Sequence, residues 1–164
     1  MAIKQADIKW SILIGILSLF WLTPAIQAQT QFDFTECGAG ISTVVYQSKE
    51  TSIASIDLKG LIFSHHENKV FNNCTFHVVA IAKTEDGKRR SDSYWKIMDP
   101  DGDIIIAEVV VLGPEKTMKL LHGTGKWKGI KGEAKGKTSV IGKMIEPGTI
   151  QSCSRYVGAF ELQK

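Results

Sequence analysis

Residues 94–137 read YWKIMDPDGDIIIAEVVVLGPEKTMKLLHGTGKWKGIKGEAKGK. The apolar run Ile104 to Leu112 and the shorter run Thr117 to His122 flank Gly113 and Pro114. An acidic turn, Asp99 to Asp103, precedes them, and five glycines break the chain that follows. Runs of this length between turn residues, without a sustained apolar repeat at three-to-four spacing, read as strands.

Outward from this stretch the pattern repeats. Candidate strands are Ile41 to Gln47, Ser52 to Ser64, Thr75 to Thr84, Ser93 to Met98, Ile104 to Leu112, Thr117 to His122, Ala134 to Ile141 and Ser154 to Leu162, eight in all. Between them lie Lys49 and Glu50, residues 65–73, residues 85–87, Asp99 to Gly102, Gly113 and Pro114, and residues 146–148, all turn chemistry. Phe76, Val78, Ala80 and Ala82 share one face of their strand, and His77, Val79, Ile81 and Lys83 share the other. Apolar residues on both faces call for cover on both sides. A barrel supplies it, with one face on the interior and the other against a subunit neighbour, helix or loop. Eight antiparallel strands are about the number at which a closed sheet fills itself or holds one small ligand, and closure removes exposed edges. The expected fold is therefore all-β, a closed antiparallel eight-stranded up-and-down barrel.

A targeting segment precedes it. Lys4 and Lys9 stand ahead of an uninterrupted apolar run of 13 residues, Trp10 to Leu22, followed by Pro24 and the small-residue exit Ala25 to Ala28. That is the layout of a secretory signal, and the run is shorter than the roughly 18 residues of a spanning helix. The expected division is a signal peptide at 1–28 and one barrel domain at 29–164, secreted or periplasmic, with no membrane attachment after cleavage.

With Lys4, Lys9 and Asp7 removed, 18 Lys and Arg face 16 Asp and Glu, so overall charge implies no polyanionic partner. Eight lysines lie between Lys116 and Lys143, opposed by Glu133 alone, and read first as a solvated face. No nucleic-acid reading motif appears. Cys37, Cys74 and Cys153 read as one bridge and one spare thiol, since no CxxC metal spacing is present. If Cys37 precedes the first strand and Cys74 the third, the two start at the same end of an up-and-down barrel. Cys153, ahead of the eighth, then starts at the other end. A Cys37–Cys74 bridge is the expectation, and one missed or extra strand reverses the parity for Cys153.

The spacing DPDGD at Asp99 to Asp103, an apolar strand, and then HGTGKWKGIKG at His122 to Gly132 resembles the allene oxide cyclase-like barrel superfamily, which includes the plant dirigent proteins. In that group an Asp-rich hairpin leads to a strand ending in Gly-Thr-Gly, an aromatic and Gly-x-x-Gly, here Gly123, Thr124, Gly125, Trp127, Gly129 and Gly132. The match covers about a quarter of the chain directly. The superfamily's catalytic carboxylates and tyrosine find no matching positions, so no catalytic residue is carried over. Relatives of the fold are often trimeric, so the resemblance admits a homo-oligomer.

The residues themselves narrow the chemistry further. Gly123, Gly125, Gly129 and Gly132 let a strand end, turn tightly and begin again, and Trp127 reads as a plug over the barrel end or a ligand-stacking ring. Asp99, Asp101 and Asp103 read as a hairpin turn whose side chains cap backbone amides, because an EF-hand would need Gly at Ile104 and Glu at Val110. GEAKGKT at Gly132 to Thr138 is one residue short of a phosphate loop. His65 and His66 are adjacent, while His77 and His122 stand alone, so no zinc set is expected. Asn73, Cys74 and Thr75 form a glycosylation sequon. No metal and no cofactor is expected.

Two functional classes remain. The first is a non-catalytic exported barrel that binds a small apolar or aromatic molecule or serves as an interaction module, with Trp95, Trp127 and His77 as candidate ligand contacts. The second is a cyclase-like or dirigent-like enzyme whose lumen steers ring closure or coupling of a reactive intermediate by restraint. An open cavity with a buried Glu or Tyr favours catalysis, and a lumen filled by Phe, Ile and Val favours a structural role.

Overall fold

A computed structural model describes residues 29–163; the signal peptide expected at residues 1–28 lies outside the described residues. Eight strands follow in order: β1 (Thr30–Gln47), β2 (Thr51–Ser64), β3 (Thr75–Glu85), β4 (Lys88–Met98), β5 (Ile104–Leu112), β6 (Glu115–Gly123), β7 (Ile130–Ile141) and β8 (Thr149–Leu162). Each pairs antiparallel with the next, and β8 pairs with β1, which closes an up-and-down barrel. The all-β fold and strand count are those expected from the turn spacing.

Several strands are longer than that spacing implied. β1 starts at Thr30, well before Ile41, because Gly38 and Gly40 do not break it. A Cβ on Gly38 would come within 2.8 Å of Leu58 Cδ2 and Phe76 Cζ, so the glycine leaves room for interior side chains. β4, β7 and β8 likewise begin four or five residues earlier than expected, through polar and glycine-bearing sequence that closure supplies with ladder partners on both sides.

Side-chain direction follows the period of two. On β1, Phe32, Phe34 and Glu36 face the lumen, and Cys37 faces out; on β8, Ser154, Tyr156 and Phe160 face the lumen, and Cys153 faces out. Cys37 and Cys153 stand opposite each other in the β1–β8 register with Cα atoms 4.1 Å apart, and they form the disulfide. This corrects the expected Cys37–Cys74 bridge. Cys37 lies inside β1 rather than ahead of it, so it meets its in-register neighbour across the closing seam. Cys74 is a buried free thiol, and burial raises its pKa to about 12. The bridge suits a non-reducing compartment. No helix among the described residues is long and apolar enough to cross a membrane.

The two barrel ends differ. At one end the β2–β3, β4–β5 and β6–β7 connections fold inward. Phe71, held at φ 62°, meets Phe32 at 5.0 Å, Trp127 at 5.3 Å and Phe160 at 5.7 Å between ring centroids. A left-handed Phe costs about 1–2 kcal/mol, a cost offset by burying four aromatic rings together. At the other end lie the β1–β2, β3–β4, β5–β6 and β7–β8 connections, and Ile41, Val45, Ile141 and Ile145 stay exposed there.

Candidate functional site

Midway along the lumen the packing changes character. Beyond the aromatic plug the interior positions become small or polar: Ser91 and Ser93 on β4, Gly136 on β7, Ser154 on β8, with Glu36 from β1 and Lys116 from β6. The ladder explains why these meet. Glu36 is registered with Ser154, and Ser154 with Thr138 of β7. Lys116 is registered with Gly136 of β7, which is in turn registered with Tyr156 of β8. A Cβ at Gly136 would lie 2.5 Å from Tyr156 Cδ1, so the glycine is the gap into which the tyrosine ring packs. Across the same gap Lys116 Nζ donates to Ser154 Oγ at 2.5 Å.

Glu36 is 1 % exposed and Tyr156 fully buried. Ser154 is hydrogen-bonded to the Glu36 carboxyl as well as to Lys116, which gives an amine–hydroxyl–carboxyl chain inside the barrel. Burial raises the Glu36 pKa from 4.5 to about 7 against the opposing pull of Lys116 and Ser154. Burial lowers the Lys116 pKa, with Glu36 pulling the other way and the Arg89 charge reinforcing the fall. Tyr156 is held well above its ordinary value by burial and then by the Glu36 charge. Glu36 Oε2 and Tyr156 Oη, both buried, have no hydrogen-bond partner among the described residues. Leaving such atoms unpaired costs about 1–3 kcal/mol each.

Aromatic rings wall this polar end. Trp95 stacks on Phe76 at 5.1 Å and meets Tyr156 edge-on at 5.7 Å, and Phe34 lies 5.5 Å from Tyr156. Trp95 Nε1 donates to Ser93 Oγ, which donates to the Val109 carbonyl.

The three ligand contacts read from sequence fall in three separate places. Trp95 lines the lumen. Trp127, in a single 3-10 turn at Gly125–Trp127, packs over the opposite end of the barrel. His77 is on the outer wall, 3.0 Å from Asp57 Oδ2. The acidic turn is consumed internally. Asp99 Oδ1 accepts the Asp101 and Asp103 amides at 2.9 and 3.0 Å, and Oδ2 accepts Trp127 Nε1 at 2.8 Å and pairs with Lys126 Nζ at 2.7 Å. Burial pushes the Asp99 pKa up, but the bonds from Lys126, Trp127 and the Asp103 amide outweigh it and hold it below the usual range. Gly125, at φ 48°, would carry its Cβ into the Asp103 carboxylate, so this turn closes only with glycine. Gly123 and Gly132 pass close to the Trp127 and Ala159 backbone, while Gly129 turns at φ 79°.

Glu36, Lys116, Ser154 and Tyr156 were not singled out by sequence. A signal was present in β1, where Phe32, Phe34 and Glu36 recur at spacing two, which sets a carboxylate on an apolar face. On the outer wall an apolar groove of about 500 Å³ runs beside the disulfide, lined by Ala39, Leu61, Phe63 and Val140 among others.

These features define a closed eight-stranded antiparallel barrel with a polar cluster inside it. The structure resembles that of a pterocarpan synthase dirigent protein with a TM-score of 0.51 and 10 % identity, covering 87 % of this chain and 98 % of that one. A second pterocarpan synthase dirigent protein aligns with a TM-score of 0.49 and 11 % identity, over 87 % of this chain and 99 % of that one. No protein-family model and no curated protein sequence matches the chain.

Proposed function

We propose that this protein is exported and binds a small aromatic molecule at the polar end of its lumen, against Tyr156 and Trp95, with a ligand hydroxyl donating to Glu36. The observation that carries this reading is the pair of buried, unpaired atoms, Glu36 Oε2 and Tyr156 Oη, within an aromatic wall. A phenol offers one O–H donor and one acceptor, which could satisfy both, and its ring matches the surrounding surface. The disulfide and the apolar leader sequence support export.

A phenol titration read through Trp95 emission tests it. Saturable binding of 4-ethylphenol is expected, weakened about tenfold or more in Glu36→Gln and Tyr156→Phe together, the scale of one lost buried hydrogen bond. Toluene binding as tightly as the phenol would contradict the role given to Glu36.

A second reading is assisted ring closure or coupling of a reactive aromatic intermediate. One observation favours it, the Glu36 pKa of about 7, which suits a group that both gives and takes protons near neutrality. A solved structure of similar fold is that of a pterocarpan synthase dirigent protein. Turnover of a quinone methide probe that is lost in Glu36→Gln but not in Ser91→Ala is the expected signature, and equal turnover in both variants would remove the reading.

A further inference from the structure

We propose that Lys116 captures a small aromatic aldehyde as an imine, with Glu36 moving the protons through Ser154. The inference rests on the reading that the lumen takes a small aromatic molecule, and it names the carbonyl class for that site.

Of the eight lysines between 116 and 143, seven are exposed, and Lys116 alone is turned into the barrel. It forms no ion pair among the described residues. Its bonded partner is the Ser154 hydroxyl, a neutral acceptor that holds the amine in place without fixing it as an ammonium. Burial disfavours the ammonium form of Lys116, the Glu36 charge pulls the other way, and the like charge of Arg89 reinforces the effect of burial. A neutral lysine amine in a partly apolar site is the nucleophile that imine chemistry requires. On the far side of Ser154 stands Glu36, with one carboxyl oxygen unoccupied. Tyr156, packed against Gly136, lies on the same rung of the ladder as Lys116, with Gly136 between them in register.

The step balances without an oxidant or reductant. The Nζ lone pair attacks the carbonyl carbon, and the C=O π pair moves to oxygen. That oxygen takes a proton from the Glu36 acid, while the nitrogen returns one through Ser154, which gives the carbinolamine. Glu36 then protonates the hydroxyl, which leaves as water as the nitrogen lone pair forms C=N, and the remaining N–H proton returns to Glu36. One amine and one aldehyde become one imine and one water.

The test treats the protein at neutral pH with 4-hydroxybenzaldehyde and sodium cyanoborohydride, which fixes any imine as a secondary amine, and maps the modified lysines by peptide mass spectrometry. A parallel titration with 4-ethylphenol, which has no carbonyl, reads noncovalent occupancy. Lys116 is expected to be modified about tenfold or more faster than the median exposed lysine, as a partly desolvated amine should be. 4-Ethylphenol should compete, and Glu36→Gln should slow the modification. Lys116→Arg, which keeps a donor to Ser154, should lose this fast site with its circular dichroism unchanged. Modification of Lys116 no faster than the exposed lysines overturns the proposal. If 4-ethylphenol still binds in that case, only the imine step falls; if it does not, the lumen reading falls too. Fast modification without phenol binding keeps the amine assignment and removes the hydroxyl-donor part of the ligand description.

Discussion

Glu36 concentrates the physical cost of the lumen. Its folded pKa of about 7 stands above its ordinary 4.5, so the folded state holds the proton more tightly than the unfolded chain. Its contribution is fully present below about pH 4.5 and is lost as pH rises through 7, a change of about 3 kcal/mol. Urea unfolding across pH 4.5–8 should show stability falling in the wild type and a flatter profile in Glu36→Gln, with the variant the more stable at pH 8; parallel profiles would remove the shift. At Gly136 the constraint is steric. Gly136→Ala would press a methyl into Tyr156, with an expected loss of about 1–3 kcal/mol in the same assay, and a neutral result would mean the ring is free to move. Neither residue stood out in the sequence. Glu36 lies ahead of the first strand expected from sequence, which starts at Ile41, and a lone carboxylate near Phe34 carries no motif.

Among the elements, β1 and β8 decide whether the sheet is a barrel. Their seam is stapled by Cys37 and Cys153, which are 116 residues apart in sequence. Replacing both by Ser should lower stability by about 4 kcal/mol in the chain-entropy account, measured by guanidinium unfolding, whereas Cys74→Ser should leave the non-reducing peptide map unchanged. Retention of full stability on reduction would show that ladder pairing alone holds the seam. At the closed end the 3-10 turn delivers Trp127 onto Phe71 and Phe160. Trp127→Phe keeps most of the ring contact but withdraws the donor to the buried Asp99, an expected loss of about 1–2 kcal/mol in thermal unfolding; Trp127→Ala should cost about 3–5. The strands and the glycine-rich turn were legible because turn residues punctuate them. The bridge was not, since its partner depends on register across strands at opposite ends of the sequence, and Cys37 and Cys153 both lie inside their strands on one rung rather than at strand starts.

As a whole, the molecule is an eight-stranded barrel with an apolar aromatic end and a polar middle. Strand count and closure could be read from period and spacing, because a sheet of this size with apolar residues on both faces has few other solutions. The lumen chemistry could not, because it is assembled from β1, β6 and β8, single residues far apart in sequence that converge only on closure. The criterion drawn from sequence divides accordingly: Phe32, Phe34, Phe71 and Phe160 fill one end, while Glu36 and Tyr156 are buried beyond them. Lumen occupancy is read most directly by native mass spectrometry of the protein isolated from its own source under mild conditions. One small aromatic molecule per chain, displaced by 4-ethylphenol and reduced in the double variant Glu36→Gln, Tyr156→Phe, is the expected result; a bare mass in every preparation, with no uptake of added phenol, would contradict it.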